Sequence, residues 1–103
     1  MKSIDGVRST EAGTEFFLGG TYSDWGLQVT LSSSSKSAAA VFALQASLNG
    51  TDWQTITGST WQNIDSGSII WVTGKPASYI RALQAVVPPT TGNLASAWIA
   101  AAP

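Results

Sequence analysis

Acid–base chemistry in this 103-residue sequence would have to rest on carboxylates, because the chain contains no histidine and no cysteine. Those two residue types supply the commonest general base, the commonest metal ligand and the best nucleophile. Their absence excludes Ser-His-Asp and Cys-His arrangements and zinc sites of the usual N/S type. Two carboxylates would be enough for glycoside hydrolysis. The available carboxylates are Asp5, Glu11, Glu15, Asp24, Asp52 and Asp65.

Most of these carboxylates have an ordinary structural explanation. Four of them stand beside glycine or in turn sequences rich in Ser, Gly and Trp, where Asp commonly hydrogen-bonds the backbone. No D-x-D-x-D cluster suited to calcium occurs, and no Gly-rich phosphate loop with its lysine. The sequence therefore predicts no catalytic residue, no metal ligand and no cofactor. The four turn carboxylates are Asp5, Asp24, Asp52 and Asp65.

Tryptophan is the other residue type that could carry function, with five in the chain. Aromatic rings form platforms for sugars, and Trp anchors protein interfaces. Trp71 and Trp98 lie inside apolar runs, which indicates the core or a subunit interface. Trp53 directly follows a turn and is predicted to pack in the core over the mouth of a hairpin. Trp61 has polar neighbours and is the most plausible exposed ring, so the candidate interface residues are Trp61, Trp71 and Trp98.

The elements that hold these side chains are predicted to be strands. In "WGLQVTLSSSS", Leu27, Val29 and Leu31 alternate with polar residues, as on a half-buried strand. The Ala-rich run "AAAVFALQASL" (38–48) repeats this pattern, with Phe42, Leu44, Ala46 and Leu48 on one face. "SIIWVT" (68–73) is apolar almost throughout, so cover on both of its faces is expected. Further strands are predicted in "EFFLGG" (15–20), "WQTITG" (53–58), "ASYIRALQAVV" (77–87) and "NLASAWIAAA" (93–102).

These patterns predict an all-β fold: one antiparallel β-sandwich, jelly-roll-like, with seven or eight short strands. Charged residues are only 11% of the chain, less than half of the usual fraction, and such a polar, weakly charged surface suits strands and turns. Residues 1–14 show no periodicity and are predicted to be a flexible N-terminal arm before the sandwich domain of residues 15–103. "WQNIDSG" (61–67) is predicted to be a turn-rich connection.

A hairpin turn is predicted within "SLNGTDWQTI" (47–56). Asn49 and Gly50 tolerate the positive φ that tight hairpin loops need, and Asp52 can hydrogen-bond the backbone. Trp53 then begins the return strand. Asn49-Gly50-Thr51 also has the form of a glycosylation sequon, but we interpret it as the turn.

Net charge and hydropathy exclude several classes of partner. The five Lys and Arg residues are scattered and the net charge is −1, so no basic patch for nucleic acid is expected. No apolar run approaches the length of a membrane span. The first residues lack the apolar region of a signal peptide, and we expect synthesis in the cytoplasm.

The hairpin stretch carries a first resemblance. "SLNGTDWQTI" resembles the S-x-D-G-x-x-W-x-x-L segment of discoidin-like (F5/8 type C) sugar- and lipid-binding modules, with Asn49 in the place of Asp. This resemblance implies a β-sandwich. Such modules are usually longer and richer in the long loops that carry the ligand site.

A second resemblance extends over residues 13–101. "GTEFFLGGTYSDWGLQVTL", "VTGKPASYIRALQAVV" and "PPTTGNLASAWIAA" are similar to successive strands and turns of small structural proteins from tailed-phage virions. The middle stretch matches a "tG-x-P-x-Y-x-R" strand of that group. This resemblance implies a capsid-decorating (cement) protein or a tail component, not an enzyme. The matching residues are Thr73, Gly74, Pro76, Tyr79 and Arg81.

Two function hypotheses follow. The first is a virion structural protein that forms homo-oligomers, with a trimer as first expectation, and binds the major capsid protein or other virion proteins. It would be made in the host cytoplasm and reside in the virion. The alternative is a small carbohydrate-binding module, which the five Trp and the polar loops favour. Against that alternative, no single loop combines aromatic residues with the Arg, Asp and Asn expected to hold sugar hydroxyls.

Overall fold

The chain folds into two antiparallel β-sheets that face each other across an apolar core. The computed structural model describes residues 1–7, 10–32, 36–86 and 94–102, and they form ten strands. This architecture confirms the predicted all-β antiparallel sandwich. The strands are β1 (Lys2–Val7), β2 (Glu11–Ala12), β3 (Phe16–Tyr22), β4 (Asp24–Leu31), β5 (Lys36–Ser47), β6 (Gln54–Thr55), β7 (Trp61–Asp65), β8 (Ile69–Val72), β9 (Ala77–Val86) and β10 (Ala95–Ala102).

Long central strands hold each sheet together. The four-stranded sheet has the order β1-β10-β4-β8, and β10 pairs with β4 over eight consecutive residues. The six-stranded sheet has the order β2-β9-β5-β6, with β3 also on β9 and β7 also on β5. No helix long and apolar enough to cross a membrane occurs among the residues that the structure describes.

Apolar side chains at alternate positions of the strands fill the space between the two sheets. Leu27 and Val29 of β4 are buried against Phe42 and Leu44 of β5, all in one core cluster. The predicted face of β5 ends early, because the strand stops at Ser47. Leu48, placed on that face by the alternation, therefore lies in the turn and is 75% exposed.

Trp25 is the largest fully buried side chain. A buried indole N–H needs an acceptor, and Nε1 of Trp25 donates to the carbonyl oxygen of Lys75 at 2.8 Å. Lys75 lies in the connection between β8 and β9. This bond therefore ties the start of β4 to the segment that crosses from one sheet to the other.

The prediction of a flexible arm over residues 1–14 is wrong, because this segment contains the strands β1 and β2. Ile4 of β1 is only 2% exposed and belongs to the core. Ser3 donates its hydroxyl to the carbonyl oxygen of Thr14 at 2.8 Å and accepts the N–H of Ala82 at 2.9 Å. Ile4 and Val7 are three residues apart, with Asp5 and Gly6 between them. This spacing does not match the period of two of a strand, which is why the sequence did not indicate one here.

The predicted turn-rich connection at 61–67 is wrong as well. Residues Trp61–Asp65 form β7, and only Ser66 and Gly67 turn the chain. Trp61 pairs with Phe42 of β5 and packs, partly buried, against the core. Pairing with a neighbouring strand outweighs the weak local propensity of this segment.

The expectation that both faces of "SIIWVT" are covered is wrong too. Its central residues form β8, a strand at the edge of the four-stranded sheet. Val72 faces the core, whereas Ile69 and Trp71 are 47% and 62% exposed on the outer side. The apolar residues of this strand therefore leave its outer face exposed to solvent.

Candidate functional site

The outer face of the six-stranded sheet brings together Phe17, Trp53, Tyr79 and Arg81, which we call the aromatic–arginine cluster. Tyr79 and Arg81 are alternate residues of β9 and flank the buried Ile80, so both point away from the core. The pairing of β3 with β9 places Phe17 directly opposite Tyr79 on the same face.

The rings of the cluster are in mutual contact. The ring centres of Phe17 and Tyr79 are 4.8 Å apart with a tilt of 35°. Trp53 meets Tyr79 edge-on, with 6.5 Å between ring centres and 82° between planes. Phe17 is 64% exposed, so the assembly presents an accessible aromatic surface held in place by its neighbours.

Arg81 is the polar centre of this cluster. Its Cζ lies 4.1 Å from the centre of the Trp53 ring, a cation–π geometry. Trp53 is half-buried here and is outside the core cluster, so its predicted packing in the core is wrong. Its Nε donates to Oε1 of Gln45, the residue opposite it on β5, at 2.8 Å. Nη1 lies 3.8 Å from Oε2 of Glu15. A guanidinium carries five N–H donors, so donors remain for a ligand after these contacts.

The turn at residues 47–53 positions Trp53 and Tyr79. The Ser47 hydroxyl accepts the N–H groups of Asn49 and Gly50 at 3.2 and 2.9 Å. Gly50 has φ +77°, and a Cβ there would lie 2.9 Å from the Tyr79 ring. Only glycine fits both the conformation and the close approach.

Asn49 and Asp52 are used largely within the turn itself. Oδ1 of Asn49 accepts the N–H groups of Thr51 and Asp52, both at 2.9 Å. Its Nδ2 donates to Oδ2 of Asp52 at 2.9 Å. These two residues therefore shape the turn, and both also line a cavity of about 350 Å³ beside it. Leu48, Gln54 and Pro76 also line that cavity.

A second concave surface, the Trp71–Trp98 groove, lies on the outer face of the four-stranded sheet. Its volume is about 280 Å³, and its lining includes Gly26 and Gln28. Trp71 lies so close to Gly26 that a Cβ there would be 2.6 Å from the indole. The Lys2 ammonium sits 4.9 Å from the centre of the Trp98 ring.

The predicted interface residues separate into two groups. Trp71 and Trp98 share this groove, whereas Trp61 lies on the other sheet and is partly buried. Among the hairpin residues, Asn49, Gly50 and Asp52 lie in the turn between β5 and β6, which pair antiparallel.

Sequence reasoning missed three residues of the aromatic–arginine cluster: Phe17, Tyr79 and Arg81. A signal for two of them was present, because the alternation in "ASYIRALQAVV" places Tyr79 and Arg81 on the same outer face. Phe17 could not be added from the sequence, since its position depends on the pairing of β3 with β9. No single loop needs to combine aromatic residues with Arg, because strand pairing brings Arg81 and the aromatic rings together from separate segments.

Two of the carboxylates, Asp5 and Asp24, have structural partners. No group of three His, Cys, Asp or Glu residues there could hold a metal ion. Asp5 pairs with Lys2 at 2.7 Å, and Asp24 accepts the N–H of Gly74 at 3.2 Å.

Comparison of folds finds sugar-binding modules among solved structures. CpGH89CBM32-5 from Clostridium perfringens, solved in complex with GalNAc-β-1,3-galactose, gives a TM-score of 0.56 with 16% identity, covering 88% of this chain and 67% of that chain. A mutant of chitosan-binding module 1, derived from a chitosanase/glucanase of Paenibacillus sp. IK-5, gives a TM-score of 0.54 with 21% identity, covering 89% and 72%. No family model and no curated protein matches the sequence.

At these identities the likeness concerns the fold alone. It supports the discoidin-like resemblance of "SLNGTDWQTI" as a statement about a β-sandwich. Neither of the two structures is a phage protein, so they give no support to the virion resemblance.

Proposed function

We propose that this chain is a non-catalytic carbohydrate-binding domain and that the aromatic–arginine cluster holds the sugar. The observation that carries the proposal is the pair of exposed Phe17 and half-buried Tyr79 beside the anchored guanidinium of Arg81. The cluster combines an apolar platform and fixed polar groups on one surface.

The chemistry of the cluster suits a sugar ring. A pyranose has an apolar C–H face and a rim of hydroxyl groups, so it needs an aromatic surface with donors and acceptors at its edge. Phe17 and Tyr79 would stack against the C–H face. Arg81 and Gln45 would bind hydroxyls, while Trp53 keeps the guanidinium in place.

The fold neighbours support the same class of ligand. One was solved with GalNAc-β-1,3-galactose and the other is described as chitosan-binding. Both are described as binding modules and not as catalytic domains, in agreement with a non-enzymatic role for this chain.

A titration with matched variants tests the proposal. Isothermal titration with GalNAc-β-1,3-galactose and with chitosan oligosaccharides should detect binding to at least one of them. Phe17→Ala should weaken that binding by at least about tenfold, because hot-spot aromatic contacts are worth that much. The unfolding midpoint of the variant, measured separately, shows that the fold is kept.

Trp71→Ala is the control, because Trp71 is equally exposed on the opposite outer face. It should leave the affinity for a soluble sugar unchanged. Loss of binding in Trp71→Ala with full binding in Phe17→Ala would transfer the site to the Trp71–Trp98 groove. Absence of binding to both oligosaccharides and to a broad glycan array would overturn the proposal.

A second candidate function, the virion structural protein, keeps one specific observation in its favour. Ile69 and Trp71 expose apolar surface on an edge strand, and such surfaces commonly serve protein assembly. The partner would then be the major capsid protein or another virion protein. A gene for a major capsid protein beside this one would favour that function, and sugar binding lost in Phe17→Ala would favour the carbohydrate-binding domain.

A further inference from the structure

The two edges of the four-stranded sheet are protected very differently. At one edge, β1 carries the charged pair Lys2 and Asp5. Its register on β10 shifts twice, and Gly6 within it has φ +59°. Charges and irregular pairing are devices that keep a second strand from adding to an edge.

The opposite edge, β8, lacks these devices. Residues Ile69–Val72 contain no charge and no proline, and they pair with β4 over four residues without a shift in register. No strand in the described part of the chain pairs with the other side of β8. Backbone N–H and C=O groups along that side are therefore a template for another strand. Four residues make a short template, but they are regular and flanked by exposed apolar side chains.

We infer that β8 pairs antiparallel with β8 of a second copy of this chain, about a twofold axis that passes at Ile70. The two four-stranded sheets then join into one continuous eight-stranded sheet. The contact is isologous, since the same strand is used on both sides.

The register follows from which face each side chain occupies. Residues directly opposite each other in an antiparallel pair point to the same face. Ile69 and Trp71 are both on the outer face, while Ile70 packs, partly buried, against the core. With Ile70 on the axis, Ile69 of each copy lies opposite Trp71 of the other copy. Aromatic and β-branched residues form favourable cross-strand pairs, and this register forms two of them.

The charge pattern favours a second copy as the occupant. A neutral edge lets two identical copies meet without repulsion, and β8 has no ionisable residue. The side chains that line the adjoining groove are neutral too. The Lys2 ammonium lies beside the groove over Trp98 of β10, which β4 separates from β8. A strand from a different protein would need no such neutrality. Like charges placed opposite each other would oppose the twofold contact.

The twofold axis has a geometric consequence for the rest of the molecule. An axis perpendicular to the joined sheet leaves both outer faces of the four-stranded sheets on the same side. Both six-stranded sheets then face the opposite side, with their two aromatic–arginine clusters directed the same way. The pairing itself does not depend on what those clusters bind.

Sedimentation equilibrium of the full chain over a wide concentration range tests the inference. We expect a transition from 10.7 kDa to twice that mass. Ile69→Lys and Trp71→Lys should each raise the dissociation constant by at least about tenfold, because each places two charges at the contact. Leu48→Lys is the control, since Leu48 is more exposed than either but lies in a turn, and it should change nothing.

Cysteine cross-linking tests the register. The chain has no cysteine, and residues opposite each other on paired strands are close enough for a disulfide. Ile70→Cys should therefore form a covalent dimer under mild oxidation, whereas Leu48→Cys should not. A monomer at every concentration, a trimer, or a dimer unaffected by Ile69→Lys and Trp71→Lys would overturn the inference. Failure of Ile70→Cys to cross-link in a dimer would overturn the register.

Discussion

At the scale of single residues, Gln84 is the least expected side chain in the core. It lies on β9 and is completely buried. Neither its Oε1 nor its Nε2 has a hydrogen-bond partner among the described residues. A buried amide without partners costs about 1–3 kcal/mol of stability. Ser59 is equally buried, but its hydroxyl donates to Ile56 and accepts the N–H of Leu44.

This contrast predicts opposite effects for two substitutions. Gln84→Met removes the amide at similar volume and should raise the free energy of unfolding by about 1–3 kcal/mol. Ser59→Ala removes a hydroxyl that is bonded and should lower it by about 1–3 kcal/mol. Urea denaturation followed by tryptophan fluorescence measures both. A destabilised Gln84→Met would show that the amide has a partner in solution, such as a buried water.

At the scale of elements, the sequence predicted the interior strands well. Alternating patterns such as Leu27, Val29 and Leu31 survive in the structure because both neighbours of β4 are strands and one face is buried. The edges were predicted poorly. β1 places Ile4 in the core without an alternating apolar pattern, and β7 is held by its pairing with β5. Neither segment therefore carries a local pattern strong enough to predict a strand.

The sequence did not predict the aromatic–arginine cluster either, because local patterns do not show which strands pair. Its members come from β3, β9 and the segment after the hairpin turn, and only sheet register brings them together. The sequence could show that Tyr79 and Arg81 share a face. It could not show that Phe17 and Trp53 lie beside them, because that depends on long-range pairing.

The packing of Ile4 from β1 into the core leads to a prediction about stability. Ile4→Ala should lower the free energy of unfolding by about 2–4 kcal/mol, because a fully buried side chain is removed from the core. Asp5→Ala on the same strand is the control, since its side chain is 80% exposed, and it should change stability by less than about 0.5 kcal/mol. A flexible arm would make both changes neutral in chemical denaturation.

At the scale of the whole molecule, the inferred dimer and the proposed sugar site would cooperate. Two clusters directed to one side could engage neighbouring glycans on a surface at the same time. Linking two binding events in this way raises apparent affinity by about 10²–10⁴-fold without a new contact, if the geometry permits both. Soluble sugar, which occupies each cluster separately, gains nothing from the pairing.

The dimer therefore predicts a difference between free and immobilised ligand. Trp71→Lys, which should disrupt the β8 contact, is expected to leave the affinity for soluble oligosaccharide unchanged in calorimetry. On a densely coated glycan surface the same variant should dissociate at least about tenfold faster than the wild type in surface plasmon resonance. Phe17→Ala should lose binding in both formats. Equal dissociation rates for wild type and Trp71→Lys on the dense surface would mean that the two clusters do not act together, even if the dimer and the sugar site both exist.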